Sequence, residues 1–381
     1  MKVFVIAGEP SGDRLGAALM AGLRALVPGV RFDGVGGEAM ATEGLESRFP
    51  MSDLSVMGLV EVLPRLSLLR RRIRETAEGI ARIGPDVVVT IDSPDFCLRV
   101  LRQARAARPA LPTVHYVAPS VWAWRPGRAA RMAPLVDHVL ALLPFEPPYM
   151  QAAGMSCDFV GHPVVAEPRP SAAEIAALRA DVPGRVLLVL PGSRRGEITR
   201  LAPRFGSALA GILPEGMRVL VPSVAAQAEV MRAEVARWSV PAQVLTEPRA
   251  KRAAFEIAEF ALAASGTVSL ELAASDTPMV IAYDVNPISR MIAERMVRLD
   301  TVTLVNLVSE TRAVPECIGA RCTPDVISRT LRALMQDPEA QAAQRAAMRE
   351  TLIRLGQGQE VPGLRAARSL LGFLEERPGK G

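Results

Sequence analysis

The chain contains little cysteine, histidine or lysine, and these shortages exclude several classes of protein. Its four cysteines form no CxxC pair, and its three histidines lack the spacing of metal ligands to cysteine or carboxylate, so we expect no zinc site. The cysteine pattern, with no charged-then-apolar leader before the first strand, indicates a reducing cytoplasm. No apolar run approaches the roughly 18 residues that span a bilayer, so any membrane contact would be peripheral.

Arginine supplies nearly all of the positive charge, because lysine occurs only at positions 2, 251 and 380. The formal net charge is +5 and the pI is about 9.4. Guanidinium groups bind phosphate through paired hydrogen bonds, although a genome of high GC content also enriches arginine. The basic residues form no stripe interleaved with aromatic residues, so nucleic acid is not an expected partner.

Short apolar runs alternate with longer helical patterns, which predicts the α/β class with doubly wound parallel sheets. The predicted strands lie near residues 2–7, 86–91, 112–117, 138–143, 185–190, 217–221, 242–245, 259–264 and 278–283. Beyond about residue 323 only helical patterns remain, at Thr323–Gln336, Pro338–Leu355 and Pro362–Glu376.

Turn-forming residues interrupt this alternation near the middle of the chain, at Gly161–Pro163 and Pro168–Ser171. We therefore expect an N-terminal domain over residues 1–165 and a second domain over residues 166–355. The remaining segment, 356–381, carries a helix that could pack back on the first domain.

A glycine-bearing turn, Gly8–Asp13, follows the first strand. It lacks the GK[ST] ending of a P-loop and the spacing of GxGxxG, so neither an ATPase nor a dehydrogenase is indicated. Ser11 or Asp13 would cap the first helix, whereas Glu9 has no evident structural role and could face a ligand.

The segment Pro85–Phe96 is a buried-type strand that delivers Asp92 to its carboxyl end, where catalytic groups of open α/β sheets stand. Asp92 is a candidate general base for an attacking hydroxyl. Two alternatives are a helix N-cap, which fits Ser93 or Asp95 better, and a metal pair of Asp92 with Asp95, which lacks a further acidic neighbour. The loop His115–Arg125 follows the next strand, and its tryptophans could fill a core or wall a substrate cleft.

The second domain opens with a strand and a second glycine-bearing loop. Gly192, Ser193 and Arg194 lie where a diphosphate would meet a helix N-terminus, and Arg194 could neutralise charge on a leaving diphosphate. A later strand-to-helix turn, Ala263–Glu271, has small residues that admit a ligand close to the backbone. Glu271 could accept both hydroxyls of a ribose, or it could be a favourable acid in the first helical turns.

The segment Val56–Glu78 combines apolar and basic residues, which suits a membrane surface. The residues expected to touch a membrane are Leu63, Leu66, Arg70, Arg71, Arg72 and Arg74. The alternative is an ordinary amphipathic helix that breaks at Pro64 and turns its arginines to water.

Taken together, these segments resemble the lipid A disaccharide synthase family of bacterial glycosyltransferases. The motifs are AGEPSGD (7–13), VMGLVEVL (56–63), PDVVVTIDSPDF (85–96), HYVAPSVWAWR (115–125), LPFE (143–146), VGHP (160–163), LPGSRRGEI (190–198), ASGTVSLE (264–271) and LVNL (304–307). They cover roughly residues 2–310, and the combination of HYVAPSVWAWR, IDSPDF and GSRRGEI is specific.

The resemblance implies a GT-B fold, in which two facing Rossmann-like domains are followed by C-terminal helices. The second domain would hold the sugar nucleotide and the first the acceptor. The reaction would transfer 2,3-diacylglucosamine from its UDP derivative to 2,3-diacylglucosamine 1-phosphate (lipid X), with release of UDP and inversion to a β-1,6-linked disaccharide. The alternative is another GT-B enzyme, such as a UDP-N-acetylglucosamine 2-epimerase or a UDP-sugar transferase with a soluble acceptor.

The resemblance also implies site residues in both domains, with Asp92 and Arg194 as the catalytic pair. The nucleotide site would contain Gly192, Ser193, Arg194, Ser265, Gly266, Thr267, Glu271 and Asn306. The acceptor site would contain Glu9, Ser11, Gly12, Met57 and Trp124. No cofactor or metal is expected, because the sequence shows no acidic cluster for one; Arg194 and a helix N-terminus would then do the work of a divalent ion. The enzyme would be cytoplasmic and peripheral on the inner face of the inner membrane, as a monomer or a homodimer.

Overall fold

The structure is a computed structural model that describes residues 1–54, 59–122, 127–285 and 300–377, with the side chains of residues 59–65 outside that description. The chain divides into two compact units. Unit 1 comprises Met1–Ala166 and Gly358–Gly381, and unit 2 comprises Glu167–Gln357. The chain therefore returns to unit 1 after it has completed unit 2.

Unit 1 is built on a six-stranded sheet with the strand order β2-β1-β3-β4-β5-β6, in which every pair is parallel. Its elements up to residue 159 are β1 (Lys2–Ala7), α1 (Pro10–Leu26), β2 (Arg31–Val35), α2 (Glu38–Thr42), α3 (Leu59–Ile83), β3 (Val87–Ile91), α4 (Pro94–Ala107), β4 (Thr113–Tyr116), α5 (Gly127–Met132), β5 (His138–Ala141), α6 (Pro147–Gln151) and β6 (Ser156–Phe159). Strand β3 is wholly buried and consists of Val-Val-Val-Thr-Ile, a composition typical of parallel strands that helices cover on both faces.

Unit 2 repeats this plan with a second six-stranded parallel sheet, in the order β12-β11-β10-β7-β8-β9. Its elements are α7 (Ala172–Asp181), β7 (Arg185–Leu190), α8 (Arg195–Leu209), β8 (Met217–Pro222), α9 (Ala228–Val235), β9 (Ala242–Leu245), α10 (Pro248–Ile257), β10 (Phe260–Ala263), α11 (Val268–Ala274), β11 (Met279–Tyr283), α12 (Leu304–Ser309), β12 (Glu316–Ile318), α13 (Pro324–Gln336) and α14 (Pro338–Arg354). Its core joins Leu187 and Leu262 of the sheet to Ile198 and Phe205 of α8.

The last helix, α15 (Pro362–Glu376), belongs to unit 1 and packs against α1. The two helices approach closely at a pair of glycines, because a Cβ atom on Gly22 would lie 2.5 Å from the carbonyl oxygen of Gly363. Leu370 of α15 is buried in the same cluster as Leu19 of α1. A larger residue at position 22 would therefore push the C-terminal helix away from the sheet.

Helix α3 runs from Leu59 to Ile83 without interruption, so the break expected at Pro64 is absent. Pro64 is the sixth residue of the helix as described, and its missing N–H removes the hydrogen bond to the carbonyl four residues earlier. No helix of the described residues is both long and apolar enough to cross a membrane.

Candidate active site

The carboxyl ends of β3 and β4 carry backbone conformations that are rare for residues other than glycine. Asp92 and Ser93 have φ angles of 50° and 44°, and the β-branched Val117 has a φ of 82°. The two strand ends are neighbours, because the Asp92 N–H donates to the Tyr116 carbonyl at 3.0 Å. Strained conformations of this kind persist only where the surrounding structure imposes them, and they cluster at active sites.

Asp92 is half-buried at the end of β3, outside the helix that follows. Ser93 occupies the N-cap position of α4 without a side-chain capping bond, and Asp95 is exposed in the first turn. A Cβ atom on Gly8 would lie 2.6 Å from Ser93 Oγ, so this glycine allows the β1 loop to approach the β3 loop. Across the described ranges, no three His, Cys, Asp or Glu side chains are grouped so that they could hold a metal ion.

The turn after β1 differs from its predicted capping. Asp13 is buried, and its carboxylate accepts hydrogen bonds at 2.7, 2.9 and 3.1 Å from the N–H groups of Gly37, Ala39 and Met40. Asp13 therefore caps α2, and the expectation that Ser11 or Asp13 caps α1 is wrong. The N-cap of α1 is Glu9, while Ser11 is exposed. The cause is a long-range contact, because β2 carries the start of α2 to the side of α1.

Gly12 and Glu9 stand at the same edge of the sheet as Asp92. A Cβ atom on Gly12 would lie 3.4 Å from Cγ2 of Ile91, so the start of α1 lies against the end of β3. Glu9 is half-buried. Met57 and Trp124, the other two residues expected at the acceptor site, lie outside the described residues.

A buried glutamate, Glu146, holds the loop after β4 to the end of β5. Its carboxylate accepts the N–H groups of Leu142 and Leu143 at 3.2 and 3.0 Å and the indole N–H of Trp122 at 3.3 Å. The ring of Trp122 also meets Phe145 edge-on. Burial raises the pKa of Glu146 to about 7, against the opposing effect of these hydrogen bonds. The sequence pattern did not single out this glutamate.

His115 lies beneath this edge rather than on it. Its Nδ1 is 2.7 Å from Thr90 Oγ1, and burial lowers its pKa to about 4. The imidazole is therefore neutral at physiological pH, and its place in the core argues against a role as an acid–base group.

In unit 2, the loop after β7 binds a carboxylate of its own chain. Gly192 has a φ of 106°, and Arg194 is the N-cap of α8. The N–H groups of Ser193 and Arg194 donate to Glu197 Oε2 at 3.2 and 3.3 Å. The Tyr283 hydroxyl donates to Oε1 of the same carboxylate at 3.3 Å. The pKa of Tyr283 is raised, first by burial and second by the negative charge of Glu197. Glu197 stands three residues after the N-cap, which is the spacing of a capping box and the one signal that could have identified it.

The loop after β10 presents the other residues expected at the nucleotide. Ser265 is half-buried and donates its hydroxyl to the Val302 carbonyl at 3.2 Å. Gly266 has a φ of 151° and open space where a Cβ would stand, and Thr267 is the exposed N-cap of α11. Glu271 is exposed on the first turn of α11. The turn can thus accept a ligand close to its backbone.

Asn306, also expected at the nucleotide site, is buried and bonded within its own loop. Only 1% of its surface is exposed, and its amide donates to Thr301 Oγ1 at 3.2 Å and to the Val314 carbonyl at 2.9 Å. Its Oδ1 accepts the Val314 N–H at 3.0 Å. Asn306 therefore supports the loop in front of α12, and its place at the nucleotide stays a prediction.

Arg72, one of the residues expected at a membrane, is half-buried and ion-paired within unit 1. Its guanidinium forms ion pairs of 2.7 Å with Asp53 and with Glu75, and it lies 4.5 Å from the ring centroid of Phe49. These partners raise its pKa, the largest effect coming from Glu75. Arg72 therefore ties α3 to the preceding segment. Arg70, Arg71 and Arg74 are exposed, and Leu66 is half-buried.

Each unit is a six-stranded parallel sheet with helices, and this two-unit α/β plan is that of the GT-B fold. A UDP-GlcNAc 2-epimerase from Neisseria meningitidis has a similar structure, with a TM-score of 0.67 at 12% identity, covering 99% of this chain and 100% of that one. Acinetobacter baumannii MurG is similar with a TM-score of 0.53 at 15% identity over 99% of each chain. At these identities the likeness shows the fold alone, and it confirms the α/β GT-B expectation.

The sequence comparisons show the family. The family model described as Lipid-A-disaccharide synthetase matches residues 3–365. A Lipid-A-disaccharide synthase of Ruegeria pomeroyi is 63% identical, over 98% of this chain and 96% of its own length. One from Rhodospirillum centenum is 46% identical over 98% and 95%. The chain belongs to the lipid-A-disaccharide synthase family and is a hexosyltransferase of lipid A biosynthesis. The alternative of a different GT-B enzyme is not favoured.

Proposed function

We propose that the enzyme transfers 2,3-diacylglucosamine from UDP-2,3-diacylglucosamine to 2,3-diacylglucosamine 1-phosphate. The products are UDP and the β-1,6-linked disaccharide 1-phosphate. The observation that carries this proposal is the family match over residues 3–365. Asp92 lies at a strand-end loop of unit 1 and Arg194 at one of unit 2. These positions suit a base for the acceptor and a cation for the leaving UDP.

Unit 2 supplies the donor site in this proposal. The diphosphate meets Arg194 and the N-terminus of α8, where two backbone N–H groups already donate to Glu197 Oε2. The nucleoside lies along the turn that Ser265, Gly266 and Thr267 form, with Glu271 at the ribose hydroxyls. Arg194 stabilises the negative charge that grows on the departing UDP.

Unit 1 supplies the acceptor site and the base. Asp92 removes the proton of the acceptor 6-hydroxyl while that oxygen bonds to the anomeric carbon of the donor. The bond from that carbon to the diphosphate breaks in the same step, and an in-line displacement inverts the configuration. The proposed acceptor contacts are Glu9, Ser11, Gly12, Met57 and Trp124. Glu146 holds the loop that leads to Trp124 through its hydrogen bond from Trp122.

The acylated substrates place this reaction at a membrane surface, and we propose that α3 makes the contact at the cytoplasmic face. Leu66 would enter the interface, while the exposed Arg70, Arg71 and Arg74 meet anionic headgroups. The side chain of Leu63, expected beside Leu66, lies outside the described residues. Arg72 is left out, because its ion pairs and its contact with Phe49 hold it against unit 1.

The test is incubation of the purified enzyme with both substrates, followed by mass spectrometry. The disaccharide 1-phosphate and UDP are the expected products, and activity should persist in EDTA because Arg194 and the α8 N-terminus take the charge of the diphosphate. A matched reaction in which N-acetylglucosamine 1-phosphate replaces the lipid acceptor is the control. Transfer to that soluble acceptor alone, or the absence of any disaccharide, would contradict the proposal.

A further inference from the structure

Glu316, the first residue of β12, binds the segment in front of α12 through a single carboxylate oxygen. Its Oε1 accepts hydrogen bonds from Thr301 Oγ1, Val302 N, Thr303 N and Thr303 Oγ1 at 2.8, 2.9, 2.8 and 2.5 Å. Thr301 and Thr303 are buried. Charge-assisted hydrogen bonds that converge in this way hold the segment 301–303 in one conformation.

The held segment also contacts the proposed nucleotide site. Val302 is the residue whose N–H donates to Glu316. Its carbonyl oxygen accepts a hydrogen bond from the Ser265 hydroxyl at 3.2 Å. Ser265 opens the turn that leads into α11. Asn306 supports the same segment, since its amide donates to Thr301 Oγ1 at 3.2 Å.

We infer that Glu316 is a positioning residue for the donor nucleotide. It fixes Val302, and the Val302 carbonyl fixes Ser265 and the turn that follows. The inference rests on the proposed function, which places UDP at this turn. Without Glu316, binding must order the turn as well as hold the ligand, so affinity for UDP falls. The KM for the acceptor should not change, because the proposed acceptor contacts belong to unit 1.

The first experiment compares three variants by UDP calorimetry, thermal unfolding and steady-state kinetics. Glu316→Ala should weaken UDP binding and raise the donor KM by about tenfold. Glu316→Gln keeps an oxygen at the accepting position and should restore most of the affinity. Asp337→Ala is the matched control, because Asp337 likewise accepts two backbone N–H groups, at 3.0 Å each, but at the start of α14. It should lower Tm and leave UDP affinity unchanged.

The second experiment asks whether Glu316 acts through Ser265. Ser265→Ala and Glu316→Ala should each weaken UDP binding, and the double variant should lose less than the product of the two effects, because both changes release one turn. Should Glu316→Ala fail to fold, Thr303→Val removes one of the four hydrogen bonds and should give a smaller loss of the same kind.

The outcomes separate this inference from the proposed function. A wild-type enzyme that does not bind UDP would contradict the donor site itself. Wild-type binding of UDP with unchanged affinity in Glu316→Ala or Thr303→Val, or fully independent effects of Ser265→Ala and Glu316→Ala, would overturn only the role of Glu316.

Discussion

The Arg194 guanidinium lies 3.6 Å from the Glu197 carboxylate, which also accepts the N–H groups of Ser193 and Arg194. The Glu197 carboxylate therefore already accepts the backbone N–H groups at the start of α8. Carboxylate and phosphate oxygens use the same donors and the same helix dipole, so this loop is already shaped to bind an anion. A diphosphate at this loop must share or replace the contacts of Glu197.

Arg194→Ala should lower kcat and weaken UDP binding together. A charge-assisted contact to the diphosphate acts in the ground state and strengthens as the leaving group gains charge, so a loss of about tenfold or more is expected in each quantity. Arg195→Ala is the control, because Arg195 is the adjacent exposed arginine, one position into α8. Calorimetry with UDP and steady-state kinetics measure both effects. Equal losses in the two variants would show that local positive charge matters and that the position of Arg194 does not.

Asp92→Asn should abolish transfer while UDP affinity changes little. The side chain keeps its shape at the end of β3 but cannot accept the proton, and loss of a general base lowers the rate by about 10²–10⁴. Asp95→Asn, on the exposed first turn of α4, is the control and should retain activity. More than a tenth of the wild-type kcat in Asp92→Asn would remove Asp92 from the role of base.

Much of this arrangement could be predicted from the sequence, because strand ends and glycine turns are local patterns. All nine predicted strands are present, and Asp92 and Arg194 stand at the loops where the pattern placed them. Three strands were missed, β2, β6 and β12, because each is short and contains a charged residue or glycine. Gly34 in β2 is required by a close approach, since a Cβ there would lie 1.8 Å from the Val5 carbonyl oxygen.

The carboxylates that organise the loops could not be predicted in the same way. Asp13 binds a segment that starts 24 residues later, and Glu316 binds one that lies 13 to 15 residues earlier. Such partners meet only after the sheet has formed, and a single glutamate has no sequence pattern that identifies its partner. The same reason explains why the hydrogen bonds of the Asn306 amide to its own loop could not be predicted.

Glu146→Gln should flatten the pH dependence of stability. The pKa of Glu146 rises from 4.5 to about 7 in the folded protein, so the folded state binds the proton more tightly than the unfolded state. The stabilisation is complete below about pH 4.5 and is lost as pH rises to about 7, and its total is on the order of 3 kcal/mol. Denaturant unfolding of both proteins between these pH values should show a steeper decline for the wild type. Parallel curves would contradict the assigned pKa shift.

Replacement of Arg70, Arg71 and Arg74 by Gln should weaken membrane binding without disturbing the fold. The three side chains are exposed, and each contributes about 1 kcal/mol at an anionic surface. The control is the replacement of Arg218, Arg329 and Arg332, which are exposed in unit 2 and give the same change in net charge.

Co-sedimentation with anionic vesicles at low salt should fall for the α3 variant and not for the control. Its activity should fall more on acceptor embedded in vesicles than on acceptor dispersed in detergent, because only the first requires the protein to reach a bilayer.

Arg72→Gln should act differently. It should lower Tm through the loss of its contacts with Asp53, Glu75 and Phe49 and leave sedimentation unchanged. Equal sedimentation of the α3 variant and the wild type at low salt would instead mean that α3 is an ordinary amphipathic helix whose arginines face water.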